Sequence, residues 1–321
     1  MRADRRSTRA PAMLAGAATA LVVFWGCSDN DPTRISRITA PPATADATNA
    51  ADYTLVQIDY PGATFTAPNG INSRGDIVGR YIGAAGARGG FLLDKRGSYR
   101  SIDYPGALAT SVVGINSPGA MVGEYSDATR NHGFALRGGT FSQIDFTVGT
   151  TVAHSTFAFG INSSGAVVGE YKVLFKPLGD PGHAFLFQDG VFTHISPPGA
   201  RAAVAWAINA SGQSVGYYMD QQVPSVGHGW RRDSDGTYAT FDFPGATFTN
   251  ARAINESGTI VGVYRDASQR SHGFMFEGDV FTRFDYPGAI FTRLSGINAR
   301  GDIVGDFQDA SGRTHGLLLM R

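Results

Sequence analysis

One cysteine, Cys27, stands in a chain of 321 residues, so no intrachain disulfide framework can brace the fold. Net charge is absent as well. The 27 basic and 27 acidic side chains cancel, leaving no surplus of positive charge for a phosphate backbone, so no nucleic-acid partner is expected. The apolar run Met13 to Trp25 has only 13 residues, too few for a helix that spans a bilayer. No P-loop, dinucleotide fingerprint, Gly-x-Ser-x-Gly elbow or His-Glu-x-x-His occurs. No cofactor, metal ion or catalytic residue is therefore assigned from a motif. Glycine is abundant at 42 residues, with 15 prolines and 21 phenylalanines. Such a composition favours many short strands joined by tight turns and excludes a helical bundle.

The N-terminus is built differently from the rest. Arg2, Arg5, Arg6 and Arg9 precede the apolar run, which is followed by Gly26-Cys27 and the polar Ser28-Asp29-Asn30-Asp31-Pro32. A charged start and a short apolar stretch suit an export signal. The segment resembles a bacterial lipoprotein signal, departing from it at Phe24 and Trp25, where leucine and a small residue are usual. The resemblance implies that residues 1–26 are removed and that the Cys27 thiol is acylated. It also implies an exported protein held at the cell envelope by an N-terminal lipid anchor, or a secreted one if Cys27 is not processed. Ser28 favours the outer membrane. Removal of 1–26 takes away four arginines and Asp4, leaving a net charge of −3. Residues 27–52 are rich in Ala, Thr, Pro and Asp without apolar periodicity, and are expected to form a disordered tether.

Residues 53–321 repeat. An Ile-Asn step recurs with its asparagine at Asn72, Asn116, Asn162, Asn209, Asn255 and Asn298, at intervals of 44, 46, 47, 46 and 43 residues. A second marker runs Ile58-Asp59-Tyr60-Pro61-Gly62-Ala63, with counterparts at 102–107, 241–246 and 284–289 and weaker copies at 144–146 and 195–200. A third is His-Gly-Phe, its histidines at His132 and His272, with variants at His183, His228 and His315 and Gly89 in the first copy. Alternation of faces in Val280 to Tyr286 marks a strand. Tyr-Pro-Gly-Ala has the chemistry of a type II turn, and Asn298-Ala299-Arg300-Gly301 that of a hairpin with a glycine bulge. Pro118 suits such a hairpin poorly, which predicts a different turn there. Four strands per copy, repeated six times, predict an all-β fold, a six-bladed β-propeller. If a blade begins at the His-Gly-Phe strand, the first three strands at 53–81 complete a sheet with 315–320. A β-solenoid is the alternative.

These markers resemble the HAF family of bacterial extracellular repeats, most closely at Gly160-Ile161-Asn162, Val167-Val168-Gly169 and His183-Ala184-Phe185. The resemblance covers all six copies and implies export and a repeat fold. It carries no catalytic motif.

Residues shared by every copy serve what every copy needs, so the six asparagines and five histidines are expected to be structural. The histidines could ring a metal only if all faced one channel, and residues one blade apart do not generally converge at bonding distance. The aspartates Asp59, Asp103, Asp145, Asp242 and Asp285 are expected to be turn acceptors. Asp233-Ser234-Asp235-Gly236 echoes a calcium loop but sits at a hairpin turn. Candidate ligand-binding residues are those that break the pattern: His154, Lys172, Lys176, Trp206, Tyr217 and Tyr218. Aromatics beside lysines and amides suit a glycan or peptide, whereas simple drift between copies would leave the same trace. The leading expectation is a monomeric, non-enzymatic scaffold that binds a glycan or an envelope protein. The alternatives are a polysaccharide lyase or glycoside hydrolase with its site at one channel mouth, and a purely structural repeat protein.

Overall fold

The structure, a computed structural model, describes residues 53–321 apart from 149–150, 174–180 and 223–225, together with the backbone of 35–37. The chain is all-β, and its strands form antiparallel four-stranded sheets. The second copy shows how the sequence builds one. Ala107 N donates to Tyr104 O at 3.1 Å across Pro105-Gly106, and Gly106 has a φ of 78°, the left-handed value a type II turn demands at that position. The strand Ala109–Ile115 follows and pairs with Met121–Ser126, which pairs with Asn131–Arg137, which pairs with Thr140–Ile144. Tyr104 N also donates to the buried Thr110 Oγ1 at 3.0 Å. That bond recurs from Tyr60 to Thr66, Phe243 to Thr249 and Tyr286 to Thr292, and accounts for the threonine six residues after the turn aromatic.

The hairpin between the first two strands repeats as well. In the second copy Gly119 N donates to Asn116 O at 3.0 Å, as Gly301 N does to Asn298 O at 3.1 Å. The expectation of a different turn at Pro118 is thus corrected. The turn needs no N–H from that position. Arg74 N donates to Asn72 Oδ1 there in the first copy, and Pro118 simply lacks this extra bond.

Inner strands meet one another in a cycle. Ala63–Ile71 touches Ala109–Ile115, contacts continue through Ser155–Ile161, Ala202–Ile208 and Phe248–Ile254 to Phe291–Ile297, and that strand returns to Ala63–Ile71. Hydrophobic clusters lie between neighbouring sheets rather than inside one. Val78 and Ile102 of the first copy pack with Val112, Ile115 and Phe134 of the second. Ile58 and Val304 pack with Ile71, Ile77 and Phe91, so the last sheet and the first share a cluster as well. A sheet has two apolar faces and cannot cover both alone, which makes each sheet depend on two neighbours. Each fully buried phenylalanine in these layers contributes on the order of 2–3 kcal/mol.

Thr54–Ile58 closes the last sheet by pairing antiparallel with Thr314–Met320. Ala63–Ile71 meets Thr314–Met320 only at one parallel bridge, Phe65 to Thr314, so of the three strands of 53–81 expected to complete a sheet with 315–320, one forms a full ladder with it. Ala63–Ile71 and Ile77–Gly83 belong instead with Arg88–Leu93 and Tyr99–Ile102. The reason is the Tyr60-Pro61-Gly62-Ala63 turn, which carries the chain to the next sheet instead of folding it back on its own. The expected signal (1–26) with Cys27 lies outside the described residues. So does the expected tether, except for the backbone of Ile35–Arg37, which runs parallel to Tyr238–Phe241.

Candidate functional site

Every inner strand carries a β-bulge just before its Ile-Asn step. Register shifts fall between Pro68 and Gly70, Val112 and Gly114, Ala158 and Gly160, Ala205 and Ala207, Ala251 and Ala253, and Leu294 and Gly296. The residue skipped by pairing is re-aimed by the bulge. Those six residues, Asn69, Val113, Phe159, Trp206, Arg252 and Ser295, line one cavity of about 90 Å³ together with the residues that follow them. This cavity is the waist of the axial channel. Glycine after the bulge lets the inner strands approach: a Cβ on Gly114 would lie 2.6 Å from Phe159 O, and one on Gly296 3.0 Å from Asn69 O.

The channel end at the hairpin turns is uniform. Each asparagine side chain donates Nδ2 to the backbone carbonyl of the next: Asn72 to Asn116, Asn116 to Asn162, Asn162 to Asn209, Asn209 to Asn255, Asn255 to Asn298, and Asn298 back to Asn72, at 2.9–3.4 Å. All six are buried. Their Oδ1 atoms accept from their own turns, as from Ala166 N at 3.0 Å and Asp302 N at 3.0 Å. The belt amides are thus all engaged, and beyond them this end opens into a cavity of about 180 Å³ rimmed by Ser73, Ser117, Ser163 and Glu256.

The opposite end is varied. Arg252 Cζ lies 3.5 Å from the centre of the Trp206 ring, and Trp206 stacks on Phe159 at 4.2 Å. Tyr217 meets Phe248 edge-on at 5.2 Å. Arg293 holds the buried Asp306 through Nε and Nη2, both at 2.8 Å. Lys172 Nζ lies 3.5 Å from Glu170 Oε1 and 5.6 Å from the centre of the Phe157 ring. Burial pushes the Glu124 carboxyl up, against the opposing pull of Arg80 and Lys172. It pushes the Tyr217 hydroxyl up too, aided by Glu170 and opposed by Arg252. Burial, then the like charge of Arg293 and that of Arg80, pushes Arg252 down, with Asp306 and Tyr217 countering. These influences cross from sheet to sheet, as they must where side chains converge on one axis. Arg252 makes no hydrogen bond or ion pair among the described residues. Its Nε, Trp206 Nε1, Ser295 Oγ and Asn250 Oδ1 are buried and unpartnered.

Of the six pattern-breaking candidates, Lys172, Trp206 and Tyr217 come together at this end. His154 is exposed beside it, one residue before the Ser155–Lys172 pair. Tyr218 does not join them. Neighbours in a strand point to opposite faces, and Tyr218 packs into the layer between sheets, 5.1 Å from His228. It occupies the position of Tyr125 and Tyr264 and so keeps the pattern. Lys176 lies outside the described residues. Arg252, Glu124, Arg80 and the Arg293–Asp306 pair were not singled out from the sequence. Reading the copies as columns would have exposed the bulge position, where the residue type changes freely just before the invariant Ile-Asn step, as it also does two residues earlier.

The repeated histidines lie away from the channel. His132 has Nδ1 3.0 Å from Asp145 and Nε2 3.1 Å from Asp127, with its ring stacked on Tyr125 at 4.8 Å. The same bracket joins His228 to Asp242 and Asp220, His272 to Asp285 and Asp266, and His315 to Asp59 and Asp309. Asp59, Asp145, Asp242 and Asp285 are therefore histidine partners rather than turn acceptors. The pairing of neighbouring strands sets each one across from its histidine. The second aspartate also caps its loop, Asp309 accepting from Ser311 N and Arg313 N at 2.9 and 3.0 Å. That capping, with Ser311 foremost and His315 adding to it, holds the Asp309 carboxyl down at about 2. The third copy has Ser196 for the aspartate, and His183 lies 5.3 Å from Tyr171 and 5.6 Å from His194. Among the described residues no group of three or more His, Cys, Asp or Glu is placed to hold a metal ion. Asp233-Ser234-Asp235-Gly236 forms a hairpin turn, Gly236 N donating to Asp233 O at 3.0 Å.

No protein-family model matches the chain, and no curated protein sequence matches it. Solved structures do. A protein assigned as TolB from Agrobacterium tumefaciens shares 13% identity with a TM-score of 0.52, over 81% of this chain and 91% of that one. A protein assigned as a gluconolactonase shares 12% with a TM-score of 0.49, over 84% and 93%. The Aleuria aurantia lectin, in complex with Fucα1-6GlcNAc, shares 11% with a TM-score of 0.49, over 80% and 93%. At such identities the likeness speaks to the fold alone. The architecture is a β-propeller.

Proposed function

We propose that the chain is a six-bladed propeller that binds a glycan, without cleaving it, at the channel mouth opposite the asparagine belt. The single observation that carries this reading is the group of part-exposed aromatics at that mouth, Tyr217 edge-on to Phe248 and Phe157 under Lys172, seated on the stack of Phe159, Trp206 and Arg252. Aromatic faces ringed by charged and hydrogen-bonding groups are the usual means of holding a sugar ring. Closure at six blades is supported by the belt, whose sixth hydrogen bond returns to the first asparagine. The HAF-like markers and the N-terminal segment support an exported protein anchored through Cys27, and so a binding surface displayed at the cell envelope.

The test is depletion of the purified full-length chain, in mild detergent, by a panel of envelope and plant polysaccharides. Mass spectrometry of the same samples detects cleavage. Binding that Trp206→Ala abolishes, with no products, is the expected outcome. Binding unaffected by Trp206→Ala would move the site elsewhere. Glu124 favours a second reading, a lyase or hydrolase, because a half-buried carboxyl pushed up by burial suits a general acid. Products that vanish in Glu124→Gln would establish it.

A further inference from the structure

Buried charge is normally paired, because an ion taken out of water without a counter-ion is strongly destabilising. Arg293 at the channel mouth obeys this, with Asp306 as its partner. Arg252 does not. Its guanidinium carbon sits 3.5 Å over the centre of the Trp206 ring, a stacking distance; the side chain has no hydrogen bond or ion pair among the described residues, and its Nε is sealed from solvent. Its terminal nitrogens, which are not among the buried unpartnered atoms, keep access to the cavity that Arg252 lines. Nearby Arg293 already has its own acid, and Arg80 adds like charge. A cation held flat against a ring keeps its in-plane N–H groups free for a fork-shaped acceptor.

Trp206 and Ser295 line the same cavity, while Trp206 Nε1 and Ser295 Oγ, like Arg252 Nε, are buried and have no hydrogen-bond partner among the described residues. A guanidinium with no hydrogen bond or ion pair among the described residues, its forked N–H groups open to a cavity, calls for an anion. The size of the space narrows the class. About 90 Å³ has room for a few water-sized groups, enough for a carboxylate and too little for a six-membered sugar ring. We propose that Arg252, with Trp206 and Ser295, is a carboxylate-binding site at the channel waist, and that the carboxylate is that of a uronate residue whose ring rests in the aromatic mouth above. This deepens the glycan-binding reading and rests on it.

The experiment is titration calorimetry of the full-length chain in mild detergent. The probes are trigalacturonate, a glucuronate-containing tetrasaccharide, the methyl ester of trigalacturonate, neutral galactotriose and sodium acetate. At least one uronate should bind, and esterification should weaken binding by at least about tenfold, the worth of a charge-assisted fork. Arg252→Gln should weaken it by at least about as much, and Arg252→Lys should restore only part, because an ammonium lacks the fork. The melting temperature of Arg252→Gln should be unchanged or higher, since the substitution removes an unpaired buried charge. A merely structural arginine would instead lower it. Acetate bound as tightly as the uronates, and dependent on Arg252, would support the carboxylate site but assign it to a free small acid. Ester or galactotriose bound as well as the acid would overturn the carboxylate assignment and leave the glycan site standing. Loss of all saccharide binding, with acetate also silent, would remove both.

Discussion

Asn298 Nδ2 donates to the backbone carbonyl of Asn72 at 3.3 Å across 226 residues of sequence. This bond turns a row of repeats into a ring. The belt at one end of the channel is identical in every copy, and the variable bulge residues above it are free to specialise. Constant geometry with variable columns is an arrangement on which a site can be built without disturbing the fold.

Breaking the belt should destabilise the whole ring. Asn162→Ala removes a donor to Asn209 O at 3.1 Å and the acceptor for Ala166 N at 3.0 Å, leaving buried groups unsatisfied. The expected loss is about 2–3 kcal/mol in urea unfolding. A loss indistinguishable from that of an exposed Ser163→Ala control would show the belt to be incidental.

The waist should refuse added atoms at its glycine copies. Gly114→Ala places a Cβ 2.6 Å from the Phe159 carbonyl, a backbone atom that cannot step aside. Destabilisation of about 1–3 kcal/mol is expected. Ala207→Gly, which returns the fourth copy to the common residue, should cost only the entropic penalty of glycine, about 0.5–1 kcal/mol, together with the packing of one part-buried methyl. Equal thermal shifts in the two variants would contradict this account.

The His228 bracket should make stability depend on pH with a definite sign. Hydrogen bonding to Asp242, outweighing desolvation and aided by the charges of Asp242 and Asp220, raises the His228 ring above its ordinary value. A raised histidine binds its proton more tightly in the folded state. Its contribution is therefore complete below the unfolded value near 6.5 and is lost as pH rises through the folded one. The urea midpoint difference between wild type and His228→Gln should be largest in mild acid and should shrink in mild alkali. A difference that grew with pH would reverse the assignment.

Closure by the N-terminal strand is open to direct test. Deleting residues through Ile58 removes the partner of Thr314–Met320 and the Asp59-facing half of the His315 bracket is then at a frayed end. An exposed strand edge invites association with other chains. The truncated chain should melt at lower temperature and elute as larger species in size-exclusion chromatography. A monomer of unchanged melting temperature would show the closing strand to be dispensable.

Much of this was legible in the sequence because repeats announce their own geometry. The spacing of the asparagines, the Tyr-Pro-Gly-Ala turns and the alternation within Val280–Phe284 specified strands, turns and repeat length through local backbone chemistry alone. Trp206 could be picked out for standing where other copies have different residues. What sequence could not decide was direction. Tyr217 and Tyr218 are adjacent and alike, yet one belongs to the channel mouth and the other to the layer between sheets, because the pleat sends them apart. Arg252 looked ordinary until the ring brought it onto Trp206, 46 residues earlier in the chain. Its lack of a hydrogen bond or ion pair among the described residues is a property of three-dimensional neighbours. Local chemistry set the repeating unit, and only closure of the ring decided which side chains share the axis.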